Sequence, residues 1–385
     1  VEGGGLKALF VATGSTSIMW WRFQNFAEIA WDRGLGTLLN PLWRKDLNTH
    51  QDWQELMPGM PRYDAFFTRA FVPSINSGIK NGAEAVVFQL GHTEGALDLF
   101  LSIKELYPEL PLYTELDDLV TAVPTFNEAF GHYKPGAAGR SFAIKQLKES
   151  DGLIVSTPYL KEAYSEFNEN IHVVPNSIDF KFWGKARRKS KPGIRIGWAG
   201  GSGHEGDFDV LRDVIPSILD KHKEVTFVFV NGPAATGLPQ WMKGLKGIEH
   251  HAKWEPIMRY PSMIASLDFD IGIAPLVDSA FNRGKSNLKW LEGAALGYPV
   301  IASKVGHMKE SVTSGHDGVL CETPEEWENA LDALITNKKY RKSLAINARQ
   351  TVEQKFNAEK TAELYISVLR EAILKKKKPE FMGAA

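Results

Sequence analysis

A single cysteine, Cys321, stands in 385 residues, so neither a disulfide framework nor a zinc site of paired thiolates can be built. Such sparing use fits a reducing compartment, and a cytoplasmic location is the expectation. No apolar run approaches the ~20 residues of a membrane-spanning helix, so no stable membrane insertion is expected. The opening residues, Val1-Glu-Gly-Gly-Gly, lack the basic region and apolar core of an export signal. Net charge is nearly absent as well. Forty-five Lys and Arg against 46 Asp and Glu leave −1, and no global field draws the chain toward nucleic acid or anionic lipid. What is present is ordinary for a globular protein: 43% hydrophobic and 24% charged residues. At 385 residues the chain exceeds a single core, and two domains are expected.

Short apolar runs alternate with helical patterns from end to end. Residues 6–12, 85–90, 112–115 and 152–156 read as buried strands in the first half, and 194–199, 226–231, 271–274 and 299–303 in the second. Repeated strand–helix units imply parallel sheets covered on both faces, hence an α/β fold of two doubly wound, Rossmann-like domains facing across a cleft. The basic, turn-rich stretch 181–193 reads as a solvated linker. The expected division is 1–180 for the first domain and 181–357 for the second. A final helical pattern, 358–377, carries apolar residues at Ala362, Tyr365, Ile366, Leu369, Ile373 and Leu374 and ends in lysines, which suit a helix C-terminus.

In such folds ligands collect outside the carboxyl ends of the strands, so the loops there carry the function. The most informative is Phe281-Asn-Arg283-Gly-Lys285-Ser286-Asn287, which leads into an amphipathic helix opening near Ser286 and a Gly-Tyr-Pro turn. Backbone donors and cations at a helix start suit an anion such as a diphosphate, and Arg283 and Lys285 are the cations. Glu292 disfavours a phosphate and instead suits sugar hydroxyls. A nucleotide-sugar would satisfy both. After the 194–199 strand, Gly200-Gly201-Ser202-Gly-His204 precedes a helix expected from about Phe208. It lacks both the dinucleotide spacing and the Walker ending, so phosphate contact and an ordinary turn both remain open. His204 either reaches a diphosphate oxygen or caps the helix. His250-His251-Ala-Lys-Trp254 places Trp254 as a possible wall for a nucleobase; no carboxylate or cysteine at ligand spacing supports a metal reading.

In the first half, Gly14, Ser15, Trp21 and Arg22 follow the first strand and could shape an acceptor pocket. Asp117 and Asp118 end a later strand, either to polarise an acceptor hydroxyl or to cap a helix. His92 is a further acceptor-side candidate, with a structural histidine as the alternative.

Together these residues resemble the family-4 retaining glycosyltransferases of the GT-B fold, in particular a bacterial and phage subgroup. Four segments carry the resemblance: Glu115-Leu-Asp-Asp118; Val173-Val-Pro-Asn-Ser-Ile-Asp179; Ile196-Gly-Trp-Ala-Gly-Gly201 with His204; and Ala274-Pro-Leu through Ser303. They span nearly the whole chain. The resemblance implies a nucleotide-sugar held mainly by the C-terminal domain, an acceptor held by the N-terminal domain, no obligatory metal or cofactor, and a terminal helix that returns to the first domain. Three departures stand out. The first Glu of the family's Glu-x7-Glu pattern is Gly284 here, although Glu292 matches the second. The usual Arg and Lys after the Gly-Gly loop are missing, with His204 in that region. Asp117-Asp118 occupy the place of a common histidine.

The expected reaction is hexosyl or pentosyl transfer from a nucleotide-sugar to an acceptor hydroxyl, with retention and without metal. Lys285, Asp117 and Asp118 are the candidate catalytic groups. Gly200, Gly201, Ser202, His204, Trp254, Arg283, Lys285, Ser286, Asn287 and Glu292 are candidates for the donor, and Gly14, Ser15, Trp21, Arg22 and His92 for the acceptor. The acceptor could be a saccharide, a lipid-linked sugar, a protein or a modified nucleic-acid base. A sugar-nucleotide epimerase on the same fold and a non-catalytic nucleotide- or glycan-binding module are the alternatives.

Overall fold

The computed structural model describes residues 6–11, 22–23, 36–39, 79–80, 82–201, 204–231, 237–252, 255 and 259–377. The chain divides into two compact units. The first comprises Val1–Thr121, Gly131–Asn176 and Ala358–Ala385; the second comprises Ala122–Phe130 and Ser177–Asn357. Both are parallel α/β units.

The first unit holds β1 (Leu6–Val11), β2 (Gly36–Leu39), β3 (Ala85–Gln89), β4 (Leu112–Leu116), β5 (Gly152–Val155) and β6 (Ile171–Val173). They form one six-stranded sheet in the order β2-β1-β3-β4-β5-β6, all parallel. Successive side chains along a strand point to opposite faces, and the core follows that rule. Ala8 and Phe10 of β1 and Ala85 and Val87 of β3 pack with Tyr365, Ile366 and Leu369 of the Ala358–Lys377 helix. Leu9, Val11, Val86 and Phe88 instead join Leu99, Phe100 and Ile103 of the Glu94–Leu106 helix. A sheet buried on both faces needs apolar residues at every position, which is why these strands read as continuous runs. Thr93 starts the Glu94–Leu106 helix by accepting from the Ala96 amide at 3.3 Å.

The second unit repeats the plan with β7 (Ile194–Gly200), β8 (Val225–Asn231), β9 (Ile248–His251), β10 (Ile271–Ala274), β11 (Val300–Ser303) and β12 (Val319–Cys321). Its order is β12-β11-β10-β7-β8-β9. The chain moves outward from β7 through β9, then returns to the other side of β7 with β10. That reversal opens a crevice at the carboxyl ends of β7 and β10, where the loop after Gly200 and the loop after Ala274 begin. Among helices of the described residues, none is long and apolar enough to cross a membrane.

Three expectations need correction. The 181–193 stretch is no free linker: Arg188 Nε donates to Asp268 Oδ1 at 2.8 Å and the Lys191 amide to Asp268 Oδ2 at 2.8 Å, fastening it to the second unit. The loop after β7 leads into a 3-10 helix, Glu205–Leu211, with an α-helix only from Val214. The helix after the cationic loop, expected to open near Ser286, spans Leu288–Leu296 with Asn287 at its cap. It lies hard against β11. A Cβ on Gly293 would come within 2.6 Å of Val300 Cγ2 and 3.0 Å of the Tyr298 carbonyl, so only glycine fits there without movement. Gly297, at φ 81°, ends the helix in the left-handed conformation and turns the chain into β11.

Candidate functional site

The second unit's switch point is stitched together by one carboxylate. Asp207 is 1% exposed. Its Oδ2 accepts from His204 Nδ1 at 2.8 Å, and its Oδ1 accepts from the Val277 amide at 3.0 Å and from Asn282 Nδ2 at 2.6 Å. Asn282 also donates to the Val277 carbonyl at 2.9 Å. The loops following β7 and β10 are thereby locked to each other. Three charge-assisted hydrogen bonds suit a buried carboxylate, which is otherwise costly. Below the loop, Gly200 admits the Trp198 indole, which a Cβ would strike. The same indole meets the His204 ring edge-on, with centroids 5.6 Å apart.

Cations gather around His204. Burial holds its pKa below the ordinary value; the Asp207 bond works against that, while the charges of Lys285 and Lys289 add to it. Lys285 is half-buried, with its ammonium 4.5 Å from the centre of the Phe281 ring. Lys289, the second residue of the Leu288–Leu296 helix, reaches Glu292 Oε2 at 3.5 Å. Glu292 is 5% exposed and receives the Tyr260 hydroxyl at 3.4 Å on each oxygen. Burial raises its pKa, with Lys289 the main opposing influence. Asn287 is buried and donates to the Ser311 hydroxyl at 3.0 Å. Ser286 is half-buried beside it, and Gly201 is exposed at the loop's start.

Arg283 is placed differently from the other cations. It is 52% exposed and forms a two-pronged pair with Asp278, at 2.6 and 2.9 Å. Lys285 and Lys289, not Arg283, are the cations whose charge acts on His204. Sequence reasoning passed over Lys289, Asp207, Asn282 and Tyr260. Asp207 lies three residues after His204, and Lys289 three before Glu292, spacings that bring side chains together on a helical turn. His250 bonds to Asn231, and His251 to Glu249 at 2.6 Å, so each histidine of that pair has its own neighbour. Ser202 and Trp254 lie outside the described residues.

In the first unit, Asp117 and Asp118 follow β4 and are half-buried. The Asp118 carbonyl accepts from the Tyr164 hydroxyl at 2.7 Å, which fixes the backbone there. Tyr133 lies near Asp118: burial raises the phenol's pKa, and the Asp118 charge raises it further. His92 follows β3, with ring centroids 4.4 Å from His132 and 5.8 Å from Tyr133. Arg22 corrects the acceptor expectation. Its side chain is 0% exposed and pairs with Glu115, also 0% exposed, while its Nη1 donates to Asn176 Oδ1 at 3.0 Å. An isolated guanidinium cannot be buried cheaply, so the interior carboxylate and amide claim it. Gly14, Ser15 and Trp21 lie outside the described residues.

Comparison with known proteins now gives this arrangement its class. A family model described as "Glycosyl transferases group 1" matches residues 193–337, the segment that contains the whole Asp207–Glu292 constellation. Over that segment the chain is similar to this glycosyltransferase family. A D-inositol 3-phosphate glycosyltransferase of Stackebrandtia nassauensis is 27% identical over 226 residues, covering 52% of this chain and 50% of the relative. The chain thus matches about half the length of that relative. Among solved structures, the sucrose-phosphate synthase of Thermosynechococcus elongatus superposes with TM-score 0.67 at 14% identity, over 96% of this chain and 100% of the other. Anabaena HepE in complex with UDP-glucose gives 0.66 at 15% identity, over 95% and 100%. At these identities the structural likeness establishes the fold.

Proposed function

We propose that the protein transfers a glycosyl group from a nucleoside diphosphate sugar to an acceptor hydroxyl, with retention and without a metal ion. The observation that carries this reading is the grouping of His204, Lys285 and Lys289 at the β7/β10 crevice beside the buried carboxylate of Glu292. Cations set among donor-rich backbone suit a diphosphate, and a carboxylate nearby suits ribose hydroxyls. The D-inositol 3-phosphate glycosyltransferase relative and the UDP-glucose bound to HepE support the same class of donor.

In this mechanism the bond between the anomeric carbon and the β-phosphate oxygen breaks through an oxocarbenium-like state. Lys285 and His204, with the backbone amides around Ser286 and Asn287, stabilise the charge that grows on the leaving diphosphate, where fixed dipoles act most strongly. Lys289 holds Glu292 in place against the ribose. The acceptor oxygen bonds to the same face of the sugar, and its proton passes to the departing β-phosphate. Asp117 and Asp118, on the first unit, orient that acceptor hydroxyl.

The test begins with a thermal-shift screen of nucleoside diphosphate sugars, since a ligand of the folded form raises the melting temperature. Incubation with candidate acceptors follows: saccharides, lipid-linked sugars, peptides and modified nucleobases. A product bearing the donor's anomeric configuration, formed equally with a chelator present, is the expected result. Interconversion of donors without an acceptor would mean an epimerase, and binding with neither transfer nor donor hydrolysis would mean a binding module.

A further inference from the structure

Among the described residues, the His204 side chain is fixed by its hydrogen bond to Asp207. Asp207 is a carboxylate that accepts and does not donate, so the short contact at 2.8 Å places a proton on His204 Nδ1. Asp207 cannot swing with the ring, because the Val277 amide and Asn282 anchor its other oxygen at 3.0 and 2.6 Å. A neutral imidazole in this pose has a lone pair on Nε2, which repels a phosphate oxygen. Only the imidazolium offers Nε2–H to an anion. We propose that Asp207 is a positioning residue that fixes His204 with Nδ1 inward and Nε2 toward the donor's diphosphate, so that His204 takes up a proton as the diphosphate binds.

This inference rests on the donor reading above. The groups facing His204 are Asp207 on the 3-10 helix, Lys285 ahead of the Leu288–Leu296 helix, Lys289 within it, and the uncharged Trp198 ring from β7. Burial and the two lysines favour the neutral ring while no anion is present, and Asp207 opposes them. An incoming diphosphate reverses the balance by neutralising the lysines and adding negative charge beside Nε2. The proton comes from solvent and no bond to carbon is involved. Binding and protonation are then linked, and each strengthens the other.

Calorimetry of UDP, GDP and ADP binding at pH 8, in two buffers of different ionisation enthalpy, reads the proton directly. At that pH the nucleotide's own phosphates are already ionised. The unaltered protein should take up close to one proton per nucleotide bound, at about the stoichiometry linkage requires, and His204→Gln should take up none. Asp207→Asn removes the anion that stabilises the imidazolium. Its affinity should fall about tenfold at pH 8, the effect of roughly one pKa unit, and its proton uptake per nucleotide at that pH should fall as well. A merely structural role for Asp207 would weaken binding and leave the uptake per bound nucleotide unchanged. Tight binding by the unaltered protein without proton uptake, or unchanged uptake in His204→Gln, overturns the inference while leaving the donor reading intact. Failure of all three nucleotides to bind overturns both.

Discussion

Glu115 and Glu292 are both buried carboxylates near the carboxyl ends of their sheets, yet the two units use them differently. Glu115 is sealed with Arg22 at 0% exposure on both side chains. Glu292 touches its neighbours at longer range, 3.4 Å to Tyr260 and 3.5 Å to Lys289. Burial raises both pKa values, and the nearby cation opposes it in each case. The first pair holds chain segments 22, 115 and 176 together, with Arg22 Nη2 and Glu115 Oε2 buried beside it without a hydrogen bond among the described residues. Both oxygens of Glu292 have a partner, and each contact is long. One topology thus supports a tight buried ion pair in one unit and a loosely bonded buried carboxylate in the other. Fold alone does not assign the roles.

The comparison breaks most easily at Arg22. Arg22→Met leaves Glu115 buried without its cation and should cost about 3–5 kcal/mol in denaturant unfolding of the first unit. Adding Glu115→Leu should recover most of that loss; if the double variant is as unstable as the single one, the ion pair is not the cause. In the second unit the effect should fall on activity. Lys285→Ala should cut turnover by about 10²–10³ with an unchanged melting temperature, the scale of losing one stabiliser of developing charge. Unaltered turnover would remove Lys285 from the mechanism. Glu292→Gln should weaken nucleotide-sugar binding by roughly 10–100-fold, the worth of a hydrogen bond to a charged group, with little change for a ribose-free pyrophosphate probe. Equal weakening for both probes would place Glu292 away from the sugar. Gly293→Ala should destabilise the second unit by about 1–3 kcal/mol, because the added methyl meets β11. Differential scanning calorimetry decides it.

The smallest effect concerns pH. Burial lowers the pKa of His172 in the first unit and of His204 and His250 in the second, each from 6.5. The unfolded chain then binds more protons than the folded one as pH falls below that value. The stability they contribute is fully present above about pH 6.5 and is lost as pH drops through the lowered values. The second unit, with two such histidines, should lose more of its melting temperature between about pH 7 and 5.5. An equal loss in both units would contradict this.

The sequence revealed the interior of each sheet and missed its borders. The strands at 6–11, 85–89, 112–116 and 152–155, and their four counterparts in the second unit, were legible because burial on both faces demands an unbroken apolar run. The four strands not foreseen, β2, β6, β9 and β12, are the four sheet edges. They are three or four residues long, and β9 reads Ile-Glu-His-His, which carries no apolar signature. The site showed the same division. Lys285, His204 and Glu292 could be named from a loop and a helix. That Arg22 turns inward, and that Asp207 joins loops 70 residues apart through the Val277 amide, depends on contacts distant in sequence. No local pattern encodes these.

The central claim is that the second unit grips an activated sugar at the β7/β10 crevice. A crystal structure with the nucleoside diphosphate sugar that gives the largest thermal shift tests it most directly. The diphosphate should lie within about 3.2 Å of His204 Nε2 and the Lys285 ammonium, with the ribose against Glu292. A nucleotide seated on the loops of Asp117 and His92, with the β7/β10 crevice holding only solvent, would contradict it.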